Sequence, residues 1–289
     1  MQSSEERAAQ DKRLAENLSK IKYRLVVISG KGGVGKTTVS VNLAYELANR
    51  GYKVGLMDAD IHGPNIIKML GAEGVQAYGD GKLIQPVKIT DNLSAMSIAL
   101  LTDDPDKPII WRGPLKTGII KQFISDVNWG ELDYLIIDSP PGTGDEPLSV
   151  IQLINGVDGA IIVTTPQAVA ILDSRKSVRF AEELKVPVVG IIENMSTHIC
   201  SECGHEEHIF GSGGGDQMAK QYDVDLLGSL PLDIRIREGV DQGKPTVAME
   251  PDSEISMNYR DIARRTSAKL ALQAKDYTAK FPKIVIENN

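Results

Sequence analysis

The apolar and polar positions along the chain change period repeatedly. Arg24 to Ser29, Lys53 to Asp58, Tyr134 to Asp138, Gly159 to Thr165, Val188 to Asn194 and Leu226 to Leu230 are short, nearly continuous apolar runs. That is the pattern of strands covered on both faces. Residues 37–49 instead place Val39, Leu43 and Leu47 with Ala44 and Ala48 on one side, and Gly51 follows as a stop, which predicts a helix. Strand runs alternating with helical stretches give the βαβ rhythm of a parallel sheet with helices on both faces. Residues 4–20 carry Ala8, Ala9, Leu14 and Leu18 among charges, the spacing of a short amphipathic lead-in helix. Residues 254–275 read as a helix of mixed charge, and 281–286 as a short tail strand or an unstructured end. Two stretches break the rhythm. Gly71 to Gly81 is a glycine-rich loop, and Ser196 to Gly215 holds both cysteines and a GSGGG run.

Composition narrows the function classes. At 289 residues a folded chain buries about 75% of the surface its unfolded form exposes, so no disulfide or metal is needed to close a core. The two cysteines therefore need another explanation. Lys plus Arg number 32 against 39 acids, a net charge of −7, which argues against broad electrostatic binding to nucleic acid or anionic lipid. Runs such as Leu135 to Ile137 or Val186 to Ile192 are of strand length and too short to span a bilayer. The charged start of the sequence has no apolar stretch of a secretory signal. A cytoplasmic, reducing setting is expected, where a close thiol pair holds metal or does redox work more often than it forms a bridge.

The segment LVVISGKGGVGKTT runs from a buried strand through Gly30, Lys31, Gly32, Gly33, Val34, Gly35, Lys36 and Thr37 into the helix at 37–49. It matches the phosphate-loop pattern in its strand–loop–helix context. Glycines let backbone N–H groups curl around phosphate oxygens, and the helix N-terminus adds partial positive charge. Lys36 would bridge the β- and γ-phosphates, and the Thr37 hydroxyl would ligate Mg2+. Lys31 departs from a plain phosphate loop. It is either a solvated loop lysine or a cation offered to a partner's nucleotide, on the logic of an arginine finger. Asp138 closes a strand and can hold a magnesium water, with SPPGTGD following as a bendable loop near the γ-phosphate. Asp58 and Asp60 end another strand in MDADIHGPN. A carboxylate with a pKa near its ordinary value of about 3.9 accepts protons poorly at neutral pH, so Asp60 is expected to orient the attacking water.

Taken together, GKGGVGKTT, DADIHGPN, WRGP at 111–114, DSPPGTGD, ENM at 193–195, the Cys-x-x-Cys and IFGSGGG resemble the Mrp/ApbC-type iron–sulfur cluster carrier ATPases. These lie within the deviant-Walker-A class that includes the nitrogenase iron protein, MinD and ParA. The resemblance covers about residues 20–250. It implies a doubly wound, mostly parallel α/β sheet in a single SIMIBI-like P-loop NTPase domain over 23–250. An N-terminal extension at 1–22 precedes it, the cysteine segment is inserted at about 196–215, and a C-terminal helix and tail at 251–289 pack on the same domain. It also implies a slow ATPase acting as a homodimer, with Lys31 offered in trans and Lys36 and Asp60 catalytic. Thr38 joins the phosphate loop, and Asn194, Pro231 and Asp233 stand at the adenine. WRGP receives no role beyond packing of Trp111.

Cys200 and Cys203 cannot complete a [4Fe–4S] site alone, but two chains related by a two-fold axis contribute four ligands. The resemblance favours that shared cluster, a cargo for apo iron–sulfur acceptor proteins. Zinc is the competitor, because His198, His205 and His208 stand near the cysteines, although ligands so crowded would strain a tetrahedral site. A dithiol redox switch is the third reading. At the level of whole function, the alternatives are a MinD- or ParA-like positioning ATPase and a zinc-binding P-loop switch. Residues 254–275 lack the apolar face a membrane-cycling helix needs, so neither membrane nor nucleic acid is an expected partner.

Overall fold

The computed structural model describes residues 4–79, 83–102, 113–200 and 202–273. In chain order the elements are α1 (Ser4–Ser19), β1 (Ile21–Ile28), α2 (Lys36–Asn49), β2 (Val54–Asp58), α3 (Ile66–Met69), β3 (Val87–Lys88), β4 (Leu93–Met96), α4 (Gly113–Ser125), β5 (Leu132–Asp138), α5 (Asp145–Ile154), β6 (Gly159–Thr164), α6 (Ala168–Glu183) and β7 (Val188–Glu193). They continue with β8 (His198–Ile199), β9 (Glu206–Glu207), α7 (Gly214–Tyr222), β10 (Leu226–Ser229), α8 (Ile234–Asp241), α9 (Thr246–Met249) and α10 (Glu254–Leu272). The apolar runs are all strands, and β2 and β6 are buried along their whole length, as expected for a sheet covered on both faces.

Among the described residues the sheet has eight strands in the order β10-β7-β6-β1-β5-β2-β4-β3, parallel throughout except for β3 against β4. β1 lies centrally between β5 and β6. The chain winds outward one way through β2 and the other way through β6, β7 and β10, so the strand order reverses at β1. Ligands of open α/β sheets bind at the carboxyl ends of the strands at such a switch point. With right-handed crossovers, α2 packs with α9 and α10 over one face, while α4 with α5, and α6 with α7, cover the other. The doubly wound sheet expected from the sequence is the one observed.

The lead-in segment is more than a solvated extension. α1 lies on α4, where Arg13 pairs with Asp126 at 2.9 Å and the Asn17 amide donates to the carbonyls of Ile124, Ser125 and Val127. α10 packs on α2 and β10 through Ile255, Tyr259, Ile262 and Leu270, all buried. The short strands β3 and β4 were not legible as a strand pair from the apolar pattern. The 196–215 segment is not wholly loop: it holds an antiparallel hairpin, β8 with β9, and the last glycines of GSGGG open α7. Trp111, Arg112 and the 281–286 stretch lie outside the described residues. Among the described residues no helix is long and apolar enough to cross a membrane.

Candidate nucleotide and cysteine site

The phosphate loop leaves β1 at Ser29 and enters α2 at Lys36. Two of its glycines are forced by geometry. A Cβ on Gly30 would sit 2.3 Å from the backbone of Asp173 in α6, so only glycine lets the loop approach that helix. Gly35 has φ +80°, the left-handed region glycine tolerates, and a Cβ there would meet the Asn194 amide nitrogen at 2.2 Å. Asn194 follows β7, and its amide donates to the Val34 carbonyl at 2.9 Å. It therefore ties the far strand to the middle of the loop. Val34 is buried, whereas Gly32 and Gly33 are exposed at the loop's mouth.

Asp138, at the end of β5, gathers the loop's polar side chains. Thr37 and Ser40 each donate a hydroxyl to it at 2.7 Å, and Lys36 Nζ lies 2.8 Å from Oδ1. The Lys36 ammonium is buried yet has no acceptor in hydrogen-bond geometry. A buried cation without an aligned acceptor is costly, and phosphate oxygens at the loop would supply one. Thr37 and Asp138 are thus the pair that would hold Mg2+, and the sequence reading missed Ser40. The signal was present, since Lys36 and Ser40 are four apart and share one face of α2.

Asp58 ends β2 as the register partner of Asp138. It accepts from the Ser97 hydroxyl at 3.1 Å and from the backbone N–H of Asp60 at 3.1 Å. Burial, followed by the charge of Asp138, pushes its carboxyl up to about 8. Asp60 is more open, and its Oδ1 accepts from the N–H groups of His62 and Gly63, each at 3.2 Å. The loop after β5 is pinned over β1 by Ser139 N–H to Val27 O at 3.1 Å and Gly142 N–H to Ser29 O at 2.9 Å. That places both carboxylate-bearing loops around one mouth. Lys31 is half-buried, and among the described residues no carboxylate lies within ion-pair distance of its ammonium.

Pro231 and Asp233 follow β10, next to Asn194, because the Leu230 N–H donates to Glu193 O at 2.8 Å. Asp233 caps α8 by accepting from Arg235 N–H at 2.8 Å and pairs with the Arg235 guanidinium, which holds its carboxyl below the usual range.

The cysteines occupy the turn of the β8–β9 hairpin. Cys200 N–H donates to His205 O and Gly204 N–H to Cys200 O, both at 2.9 Å. The N–H groups of Cys203 and Glu202, then the Cys203 thiol, face the Cys200 sulfur and lower its pKa. A turn that aims N–H groups at sulfur stabilises thiolate, the form that ligates metal. Cys203 is exposed and Cys200 partly so, and both are free thiols. Two of the nearby histidines are held through one ring nitrogen, His198 Nδ1 to Leu232 O at 3.1 Å and His208 Nδ1 to Ser196 O at 2.9 Å. Among the described residues no group of three or more His, Cys, Asp or Glu is placed to hold a metal ion. The single-chain zinc set of Cys200, Cys203, His205 and His208 is thus not gathered among the described residues. One contact the sequence gave no signal for anchors this segment: Glu193 Oε2 accepts from Gly215 N–H at 2.5 Å, at the N-terminus of α7.

Comparison with known proteins agrees with this geometry. Residues 20–267 match the family described as ParA, NUBPL iron-transfer P-loop NTPase. An iron–sulfur cluster carrier protein of Methanocaldococcus jannaschii is 52% identical over 91% of this chain and 90% of its own. Another, from Pseudomonas fragi, is 48% identical over 85% of each. Among solved structures, a nucleotide-binding protein of Archaeoglobus fulgidus in complex with ADP superposes with a TM-score of 0.72 at 37% identity, over 84% of this chain and 94% of that one. The MinD ATPase of Pyrococcus furiosus shares the fold, with a TM-score of 0.62 at 23% identity over 86% and 99%. The chain belongs to the NUBPL iron-transfer P-loop NTPases, the ATP-binding and ATP-hydrolysing iron–sulfur cluster carriers of Mrp/ApbC type.

Proposed function

We propose that this carrier holds its cargo, a [4Fe–4S] cluster, between two copies of the chain, with Cys200 and Cys203 of each supplying four thiolates, and passes it to apo iron–sulfur proteins under control of ATP. The observation that carries this reading is the exposed hairpin turn. Its two free thiols include one whose sulfur already receives N–H groups, and no third ligand from the same chain joins them among the described residues. A site half-built in each chain calls for a second copy. Few ligands and open access suit release of a cluster better than its storage. Free thiols of this kind fit a reducing, cytoplasmic setting.

The nucleotide chemistry follows from the loop. The backbone of Gly30 to Thr38 receives the phosphates, and Lys36 turns from Asp138 to the β- and γ-phosphates. Thr37 and Asp138 hold Mg2+, which neutralises charge developing on the phosphate oxygens. Asp60 orients the attacking water, and Lys31 of one copy reaches the nucleotide of the other. Asn194, Pro231 and Asp233 border the adenine. Coupling runs through Asn194, which touches the loop on one side and leads directly into the cysteine hairpin on the other. A nucleotide that shifts the loop thereby shifts the hairpin.

Anaerobic reconstitution of wild type, Cys200→Ser and Cys203→Ser with iron and sulfide tests the reading. Wild type should take up about four irons and four sulfides per dimer, and each variant should lose the cluster while still binding ATP. Wild type that stays a monomer with nucleotide present, or that binds zinc but no sulfide, sinks it.

A further inference from the structure

Three side chains next to the nucleotide site have no part in the account above. Lys116, one turn into α4, bonds to His62 Nε2 and to Glu146 Oε1, the latter at 2.5 Å, and His62 Nε2 lies 3.5 Å from the same oxygen. They come from separate segments: the loop after β2, α4, and the first turn of α5. Lys116 is the inner member, 15% exposed against 54% for His62 and 41% for Glu146. It lies along a cavity of about 340 Å³ that Ala59, Ile61, Pro140 and Asp145 also line.

The placement matters because of what lies between Ala59 and Ile61. Asp60 has Oδ1 committed to two N–H groups of its own turn, at His62 and Gly63, so the direction of Oδ2 is set by how that turn is held. At the strand side the turn is held through Ala59 N–H to Asp138 O at 3.0 Å. On its outer side the tie is His62 to Lys116 and Glu146. An exposed ion pair contributes little to stability, but one that ties the loop after β2 to both α4 and the first turn of α5 fixes geometry. Geometry of this kind governs hydrolysis, since small misplacements of a water-orienting group cost rate.

We propose that Lys116 is a positioning residue for ATP hydrolysis: by clamping His62 to Glu146 it holds the 59–65 turn so that the Asp60 carboxylate faces the water attacking the γ-phosphate. The proposal rests on the assignment of Asp60 made above. It also gives the helix that begins in the WRGP motif a task, as the element to which the 59–65 turn and the first turn of α5 are tied.

Steady-state ATP hydrolysis and ATP affinity of the full chain, with Lys116→Met, Lys116→Arg, Glu146→Gln and Asp60→Asn, test it. Lys116→Met should lower kcat about tenfold or more with KM within about twofold of wild type, the split expected of a lost orienting contact. Lys116→Arg should recover most of the rate, and Glu146→Gln should behave as Lys116→Met does, with the double variant no slower than either. A Lys116→Met rate near wild type, with Asp60→Asn inactive, overturns the clamp and leaves Asp60 in place. An Asp60→Asn rate near wild type overturns both. A fall in rate matched by a fall in ATP affinity and melting temperature, and not rescued by arginine, marks a structural role only and also overturns the clamp. Should Lys116→Met fold poorly, Glu146→Gln, on the exposed side of the pair, decides.

Discussion

Asp58 and Asp138 end adjacent parallel strands as register partners, and their surroundings are unequal. Asp138 has the Lys36 ammonium and the hydroxyls of Thr37 and Ser40, whereas Asp58 has a serine hydroxyl and backbone N–H groups. Of the two, Asp58 is driven chiefly by burial to hold its proton up to about pH 8.

A pH dependence of stability follows. The folded-state pKa of Asp58, about 8, lies above its ordinary value of 3.8, so between the two the folded chain holds a proton that the unfolded chain has released. Stability of the nucleotide-free protein from this group is full below the lower value and is lost as pH rises through the upper one. Asp58→Asn removes the titration. Its melting temperature should gain on wild type steadily from about pH 4 to about pH 8 and level off above; parallel curves for the two proteins would show that Asp58 titrates normally.

The Asn194 amide and Gly35 form an interlocked pair. Asn194→Ala leaves the Val34 carbonyl without its donor, which should weaken ATP binding by about 1–2 kcal/mol, measurable by nucleotide titration. Gly35→Ala places a methyl on the Asn194 nitrogen at a positive φ and should abolish binding. Combining the two relieves the clash and not the backbone strain, so binding should stay lost; restored affinity in the double variant would refute the backbone part of this account.

Lys31 in trans predicts complementation. Lys31→Ala and Asp60→Asn should each hydrolyse ATP poorly alone. Mixed in equal amounts they form dimers in which one site has its own Asp60 and the partner's lysine, giving about a quarter of the wild-type rate by random pairing. A mixture no faster than its components would place Lys31 in its own chain's site.

Glu193 caps α7 and anchors the end of the cysteine segment. Glu193→Gln keeps the shape and loses the charge at the helix N-terminus, which should cost about 0.5–2 kcal/mol by chemical denaturation. Gly215→Ala puts a Cβ 2.9 Å from Glu193 Cβ and should cost more. Equal stabilities of both variants and wild type would mean that α7 does not depend on the contact.

The phosphate loop was legible because its chemistry is contiguous: glycines, lysine and threonine act within one turn, and residues on either side announce the strand and the helix. The buried strands were legible for a similar reason, since full burial writes an unbroken apolar run. Ser40 was legible in principle from helical spacing and was overlooked. The short β3–β4 pair was not, because runs of two and four residues carry too little period to register. The zinc alternative rested on closeness in sequence, and among the described residues the hairpin does not bring three of those ligands together.

Local order in the amino-acid sequence determined where the chain bends around phosphate, which stretches become strands, and that a pair of thiols stands apart from the core. Folding alone decided which distant groups meet. Asn194 reaches Val34 across 160 positions, Asp138 collects Thr37 and Ser40 from about a hundred positions away, and Lys116 joins His62 to Glu146. Strand order and register create these contacts, and the burial they produce sets the proton on Asp58. Neither is encoded in any short stretch of residues, because each depends on which strands lie side by side and how deeply they are covered.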